Sequence, residues 1–166
     1  MGMQESAAYD ITKFVDTPFA VSFGGTVLGG TEGPPSIKPE VVTEDISCNQ
    51  SQGRVLKRTI KKISYTITAK FKQPETVMAA VFGLTNVTTA DLGKDLLAEA
   101  KELVMTAIGA SNQVFTFHAC TAMVTTYELD GEKNHTIDVE FKTTESGDAE
   151  GKILTVGTVT PPVIDE

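Results

Sequence analysis

His118 and Cys120 are the residues of this chain whose types and spacing come nearest to covalent chemistry. Two positions apart on an alternating strand they share a face, and an imidazole beside a thiol can draw off its proton and make it a nucleophile. Such pairs are common in any strand, however. The sequence offers neither a third group to orient the imidazole nor an oxyanion motif, so no dyad is expected. Asp138 and Glu140 have the same spacing. On the polar face of a strand they read as a solvated acidic row rather than an acid/base pair. Gly24, Gly25, Gly29 and Gly30 suggest a phosphate loop until Thr31 is found where that loop needs a lysine, so they read as a flexible turn. His118 and His135 have no ligand partner at i+4, and Cys48 and Cys120 fit no zinc spacing. No metal and no cofactor is expected, and both cysteines read as reduced, buried thiols.

The elements that would position these residues are mostly strands. Ile63, Tyr65, Ile67, Ala69 and Phe71 alternate with Ser64, Thr66, Thr68, Lys70 and Lys72, which predicts a long half-buried strand. Its register is fixed, because a slip of one residue would expose every apolar side chain. Gln73 and Pro74 end it, and Val77, Met78, Val81 and Phe82 form the stripe of a short helix with Gly83 at its C-cap. Two further strands are predicted, joined by a turn at Asp130-Gly131. One runs over Val114–Thr125, with Phe115, Phe117, Ala119, Thr121 and Met123 on one face; the other, Thr136–Thr143, turns Ile137, Val139 and Phe141 inward. Ala20–Leu28 and Ile37–Ser47 are weaker strand candidates around the Gly29–Pro35 loop, and Lys152–Val159 reads as a closing strand. Leu96–Ile108 stays open between two readings. Leu96, Leu97, Ala100, Leu103, Val104, Ala107 and Ile108 recur at helical spacing, whereas Leu103–Ile108 followed by Gly109–Asn112 reads as one side of a hairpin.

At 166 residues the chain has the size of one domain, and 40% apolar with 22% charged residues is ordinary globular usage. No apolar run approaches the roughly 18 residues needed to cross a bilayer, and Met1–Lys13 lacks the apolar core of a secretory signal, so a cytoplasmic site of synthesis and use, with no membrane, is expected. The sequons at Asn49, Asn86 and Asn134 then read as chance matches. The net charge of −8 conceals an asymmetry: Ile46–Pro74 holds seven of the 14 bases and no acid, which leaves seven bases against 22 acids elsewhere. A basic segment on an acidic chain could meet an acidic surface on a neighbouring copy, or could simply be a solvated strand face. Tyr65 and Phe71 alternate away from its lysines, so the interleaving of stacking and charge that single-stranded nucleic acid needs is missing.

Between Phe23 and Leu84 the parts follow in a set order. The Gly24–Gly30 stretch precedes the extended Pro39–Asp45, the polar Asn49–Gly53, the long strand Ile60–Lys72 and the short helix Glu75–Gly83. Val114–Tyr127 and Thr136–Thr143 follow as a late hairpin. This ordering resembles the major tail tube proteins of long-tailed bacteriophages. The resemblance implies a mainly β, β-sandwich or barrel-like tail tube fold with one short flanking helix: a polar arm at 1–16, the β domain at 17–160 and a tail at 161–166. It implies a structural virion protein of the tail rather than an enzyme, assembled in the bacterial host cytoplasm. Its partners would be further copies of itself in hexameric rings stacked into a tube, together with tape-measure, tail-terminator and initiator proteins. DNA would pass through the bore without specific binding, which an acidic excess favours. The polar loop Asn49, Gln50, Ser51 and Gln52 with Arg54, Lys57 and Arg58 is the expected contact between subunits or successive rings, and would be a mobile surface loop in a free monomer. The inner tube of a contractile secretion system or bacteriocin shares the architecture. From another class, a carbohydrate-binding β-sandwich is handicapped by the absence of tryptophan to stack on sugars.

Overall fold

The computed structural model describes residues 19–72, 74–81, 87–107, 110–129, 131–132 and 135–157. Ala20–Leu28 is two strands rather than one: β1 (Phe19–Phe23) and β2 (Thr26–Gly30) pair antiparallel around Gly24 and Gly25, both with φ above zero. Gly24 has φ 59°, which favours glycine, and a Cβ there would lie 2.6 Å from Cδ of Lys101, whose flexible side chain would have to move aside. Gly29 and Gly30 pair with Val21 and Ala20, and the loop begins only at Thr31. β3 (Ser36–Ile46) and β4 (Lys57–Phe71) form a long hairpin. The predicted short helix is α1 (Pro74–Ala80), which buries Val77 and, just past its end, Val81; Phe82 and Gly83 lie outside the described residues.

Leu96–Ile108 resolves by halves. Leu96–Glu99 is a 3-10 turn capped by Asp95, and Lys101–Ala107 is a strand, β5, with Leu103, Met105 and Ala107 buried at a period of two. Ile108 lies outside the described residues. β6 (Ala110–Glu128) is the longest strand, followed by β7 (Thr136–Thr143) and the short β8 (Leu154–Val156) inside the predicted closing strand. Asp130 lies outside the described residues, as do the proposed arm at 1–16 and tail at 161–166.

All strands belong to one antiparallel sheet in the order β2-β1-β5-β6-β7-β4-β3, with β8 on β6. β6 is its corner. Its first half pairs with β5, its second half with β7 on the opposite edge, and β8 continues the β7 edge. A bulge marks the change, because Leu103 faces Phe117 while Lys101 faces Cys120. The extra residue shifts the alternation, so Phe117 is inside and then Cys120 and Ala122 are, whereas Met123 is exposed. The single face expected from Phe115 to Met123 is therefore wrong in its second half.

The bend folds the sheet into two layers, with β2-β1-β5-β6 facing β6-β7-β4-β3. Aromatic pairs join the layers: Phe23 meets Phe141 at 5.3 Å between ring centroids and Tyr65 meets Phe117 at 5.7 Å. Phe71 stands edge-on to Phe141 within the second layer. Ile67, Ile137, Val139 and Leu103 fill the rest of the core. Opposite the corner, Thr31 bridges to Phe71 and the Glu32 N–H donates to the Lys70 carbonyl at 2.7 Å, stitching the end of β2 to β4. The mainly β, sandwich and barrel-like expectation with one short helix matches this architecture.

Candidate functional site

β4 is anchored at only one end. Thr66–Thr68 pairs with both β3 and β7, Ala69–Phe71 pairs with β7 and is touched on its other side only by Thr31 and Glu32, and the inward side chains of both stretches are core. Upstream, Lys57–Tyr65 has β3 as its sole ladder partner among the described residues; the Tyr65 N–H is taken by the Thr143 hydroxyl at 2.8 Å. The Val41–Ile46 and Lys57–Ile63 stretches thus leave the sandwich as a two-stranded arm, bulged between Val42 and Thr43. An isolated two-stranded ribbon has little stability of its own. This one nevertheless exposes Val41, Val42, Ile46, Val55, Leu56 and Ile60, the last two to more than 60%.

The seven candidate contact residues sit at the arm's end, but not all in a loop. Asn49–Ser51 is a 3-10 turn, followed by Gln52 in the left-handed region at φ 52°. Ser51 is buried: its hydroxyl donates to the Cys48 carbonyl and accepts from the Cys48 N–H, so it holds the turn rather than offering a free contact. Arg54 lies in the connection, and Lys57 and Arg58 are the first residues of β4. Arg58 donates through Nε to Asp45 Oδ1 at 2.6 Å across the ladder. That hydrogen bond, with the guanidinium charge, holds the Asp45 carboxyl below the usual carboxylate range.

Of the two readings of the basic segment, the solvated strand face with its own counterions describes most of it. Lys61 pairs with Glu44, Lys62 with Glu145 and Lys70 with Glu128, all within the chain. The asymmetry in sequence is largely cancelled in space, because β3 and the loop after β7 bring acids to the basic strand. Of the basic residues at the arm's end, Arg54 and Lys57 have no carboxylate partner among the described residues. The apolar side chains that share the arm escaped sequence reading. Their signal was the adjacent pair Val41-Val42: consecutive strand residues point to opposite faces, and both being apolar implies a ribbon covered on both sides.

His118 and Cys120 fall on either side of the β6 bulge and do not meet. Cys120 is in the core, where burial pushes its thiol up to about 12. His118 Nε2 lies 2.7 Å from Thr155 Oγ1 and Nδ1 3.7 Å from Asp148, against the 144–153 loop. Backbone N–H groups of Lys152 and Glu150 donate to Asp148 and hold it below its ordinary value. Gly147 is needed in this loop, since a Cβ there would lie 2.6 Å from the Lys152 carbonyl oxygen. Cys48, expected to be buried, is exposed.

No family model and no curated protein matches the chain. Among solved structures it is similar to a chain of the "Virion of native gene transfer agent (GTA) particle", with 12% identity and a TM-score of 0.44 over 85% of this chain and 95% of that one.

Proposed function

We propose that the chain is the repeating subunit of a bacteriophage-type tail tube, in which copies close into hexameric rings and rings stack into a conduit for DNA. The observation that carries this reading is the layer β6-β7-β4-β3, whose ladder is open on both flanks. Among the described residues nothing pairs with the outer edge of β3, and β5 leaves the edge of β6 beyond Cys120. Two free margins on opposite sides of one sheet suit head-to-tail addition of copies. A ring closed this way leaves no open edge to aggregate. Several strands per copy then give a bore wider than a side-chain-filled barrel.

The outer face of this layer favours passage without adhesion. By alternation it carries Thr66, Thr68 and Thr121, with Asp138 and Glu140 interspersed among Lys70 and Lys142. It offers phosphates no continuous basic track. The arm would contact the adjacent subunit or ring, with Ser51 and the Arg58–Asp45 pair shaping it. Tape-measure, terminator and initiator proteins complete the set of partners under this reading.

The test is negative-stain electron microscopy of the concentrated protein. Hollow tubes of uniform width are expected. A particle that stays single at every concentration, with an initiator complex supplied, ends the proposal.

A further inference from the structure

We infer that the free edge of β4 in the arm is completed by the N-terminal segment of a copy in the adjoining ring, added as a third strand. This deepens the tube reading and rests on it. Ring closure through β3 and β6 leaves one ladder unfinished. On the side where Thr66–Phe71 meets β7, the Tyr65 N–H is taken by the Thr143 hydroxyl at 2.8 Å, and from Lys57 to Ile63 no strand among the described residues follows. Unpaired N–H and C=O groups along a strand edge are a template for another chain. This stretch carries Ile60, 61% exposed, and Lys57, which like the nearby Arg54 has no carboxylate partner among the described residues. What completes it must be an extended chain, apolar in part and net acidic.

Residues 1–18 have that chemistry. They precede β1 and lie outside the described residues. Between Met3 and Thr17 there is neither glycine nor proline, and Tyr9, Ile11, Thr12, Phe14 and Val15 are all types that favour strands. Glu5, Asp10 and Asp16 stand against Lys13 alone, so the segment is net acidic where the arm's end is net basic, and such complementarity selects partner and register. At the other end of the chain, 158–166 is interrupted by Pro161-Pro162, which cannot donate to a ladder.

The place where this segment joins the body decides which copy supplies it. The Phe19 carbonyl accepts from the Thr31 N–H at 3.4 Å, and Thr31 bridges to Phe71, so the segment enters beside the far end of β4. The 15 residues of β4 put that end about 50 Å from Lys57. To serve its own arm the segment would have to double back along β4, past Thr66–Phe71, whose β7 side is already occupied. Strands of a closed barrel run within about 45° of its axis, so in a tube the two ends of β4 face the rings on either side. Donor and acceptor then lie at opposite ends of one subunit, the heterologous arrangement that propagates from copy to copy.

Hydrogen exchange on the full chain, dilute and assembled, tests this. Amides of Lys57–Ile63 on the open side are expected to exchange fast in the monomer and at least about a hundredfold more slowly in tubes, as bonded ladder amides do. Phe14→Pro with Val15→Pro removes two consecutive N–H donors, so that one of them faces β4 whichever edge is presented. This variant is expected to keep its melting curve, to need at least about tenfold more protein for assembly, and to leave the edge unprotected in whatever tubes it forms. In a Cys48→Ser background with Cys120 buried, Val15→Cys protein co-assembled with Ile60→Cys protein and treated with a flexible dimaleimide should give a dimer on a denaturing gel that neither gives alone. Protection already present in the monomer would mean that the segment serves its own arm, and protection in tubes that survives the proline variant would mean that another strand covers the edge. Either result, tubes whose edge stays unprotected, or the absence of the mixed dimer would overturn the strand addition and leave the tube reading intact. A parent protein that never forms rings or tubes would overturn both.

Discussion

The two halves of β4 share one strand and differ in almost everything that holds a strand in place. From Thr66 to Thr68 a ladder runs on each side, Ala69–Phe71 keeps the β7 ladder, and the inward side chains of both stretches meet a second layer. From Lys57 to Ile63 there is, among the described residues, one ladder, no second layer, and apolar side chains in water. The first half is explained by the monomer, since a fully buried phenylalanine or isoleucine contributes about 1.5–3 kcal/mol. The second half is not explained by the monomer at all. Its cross-strand ion pairs are solvent-exposed and screened, and contribute little. A chain that keeps Ile60 61% exposed on an unsupported ribbon gains from that residue only when something else covers it.

The sharpest way to break the comparison is to cut into the body. Phe141→Ala removes the ring that meets both Phe23 and Phe71, and should destabilise the isolated subunit by about 3–5 kcal/mol in denaturant unfolding. A loss below about 1 kcal/mol would mean that the layers are not packed as described. Thiol labelling draws the same line. Cys48 at the arm should react promptly under native conditions and Cys120 only after unfolding, because burial raises its thiol to about 12 and hides it. Equal labelling rates would place Cys120 outside the core.

The arm should give the opposite result. Ile60→Ser is expected to change monomer stability by no more than about 0.5 kcal/mol, as exposed sites do, while weakening assembly measured by sedimentation. Arg58→Glu sets two carboxylates opposite each other on the arm, where Asp45 now accepts from the guanidinium. It should leave the body folded by circular dichroism and impair polymerisation. Normal tubes from this variant would remove the arm's end from the interface.

The body was legible in the sequence because burial writes a period into it. Ile67, Ala69 and Phe71, and Ile137, Val139 and Phe141, alternate because each sits between neighbours on a two-layer sheet. Three things were hidden. The β6 bulge adds one residue and leaves no mark in composition, so Met123 was assigned to the wrong face. Leu96–Ile108 carries a helical pattern by accident of a turn leading into a strand, and pairing with β1 and β6 overrides that pattern. The pairing of basic residues with Glu44, Asp45 and Glu145 is set by ladder register and by a loop from elsewhere in the chain, which local charge counting does not see. The candidate site was found by its polarity, yet what most distinguishes it is its apolar surface.

The smallest expected effect concerns the joint between the two regions. Glu145 accepts from Lys62, and that hydrogen bond with its charge lowers the Glu145 carboxyl and raises the Lys62 ammonium. A lowered carboxyl stabilises the fold above its ordinary value of 4.5 and loses that contribution as pH falls through the lowered value. A raised ammonium contributes fully below its ordinary 10.5 and loses it as pH rises through the raised value. The joint is therefore held between these limits and released outside them. Acidification should speed hydrogen exchange in residues 144–147 and in Lys57–Ile63, while the core half of β4 stays protected. Glu145→Gln should show the loosened exchange already at neutral pH and respond less to acid. Lys62 is 45% and Glu145 68% exposed, so solvent screens the pair and global stability should hardly move. If Glu145→Gln loosened with acid as much as the parent does, the response would belong instead to Asp148, whose carboxylate is held by the Lys152 and Glu150 N–H groups within the same loop.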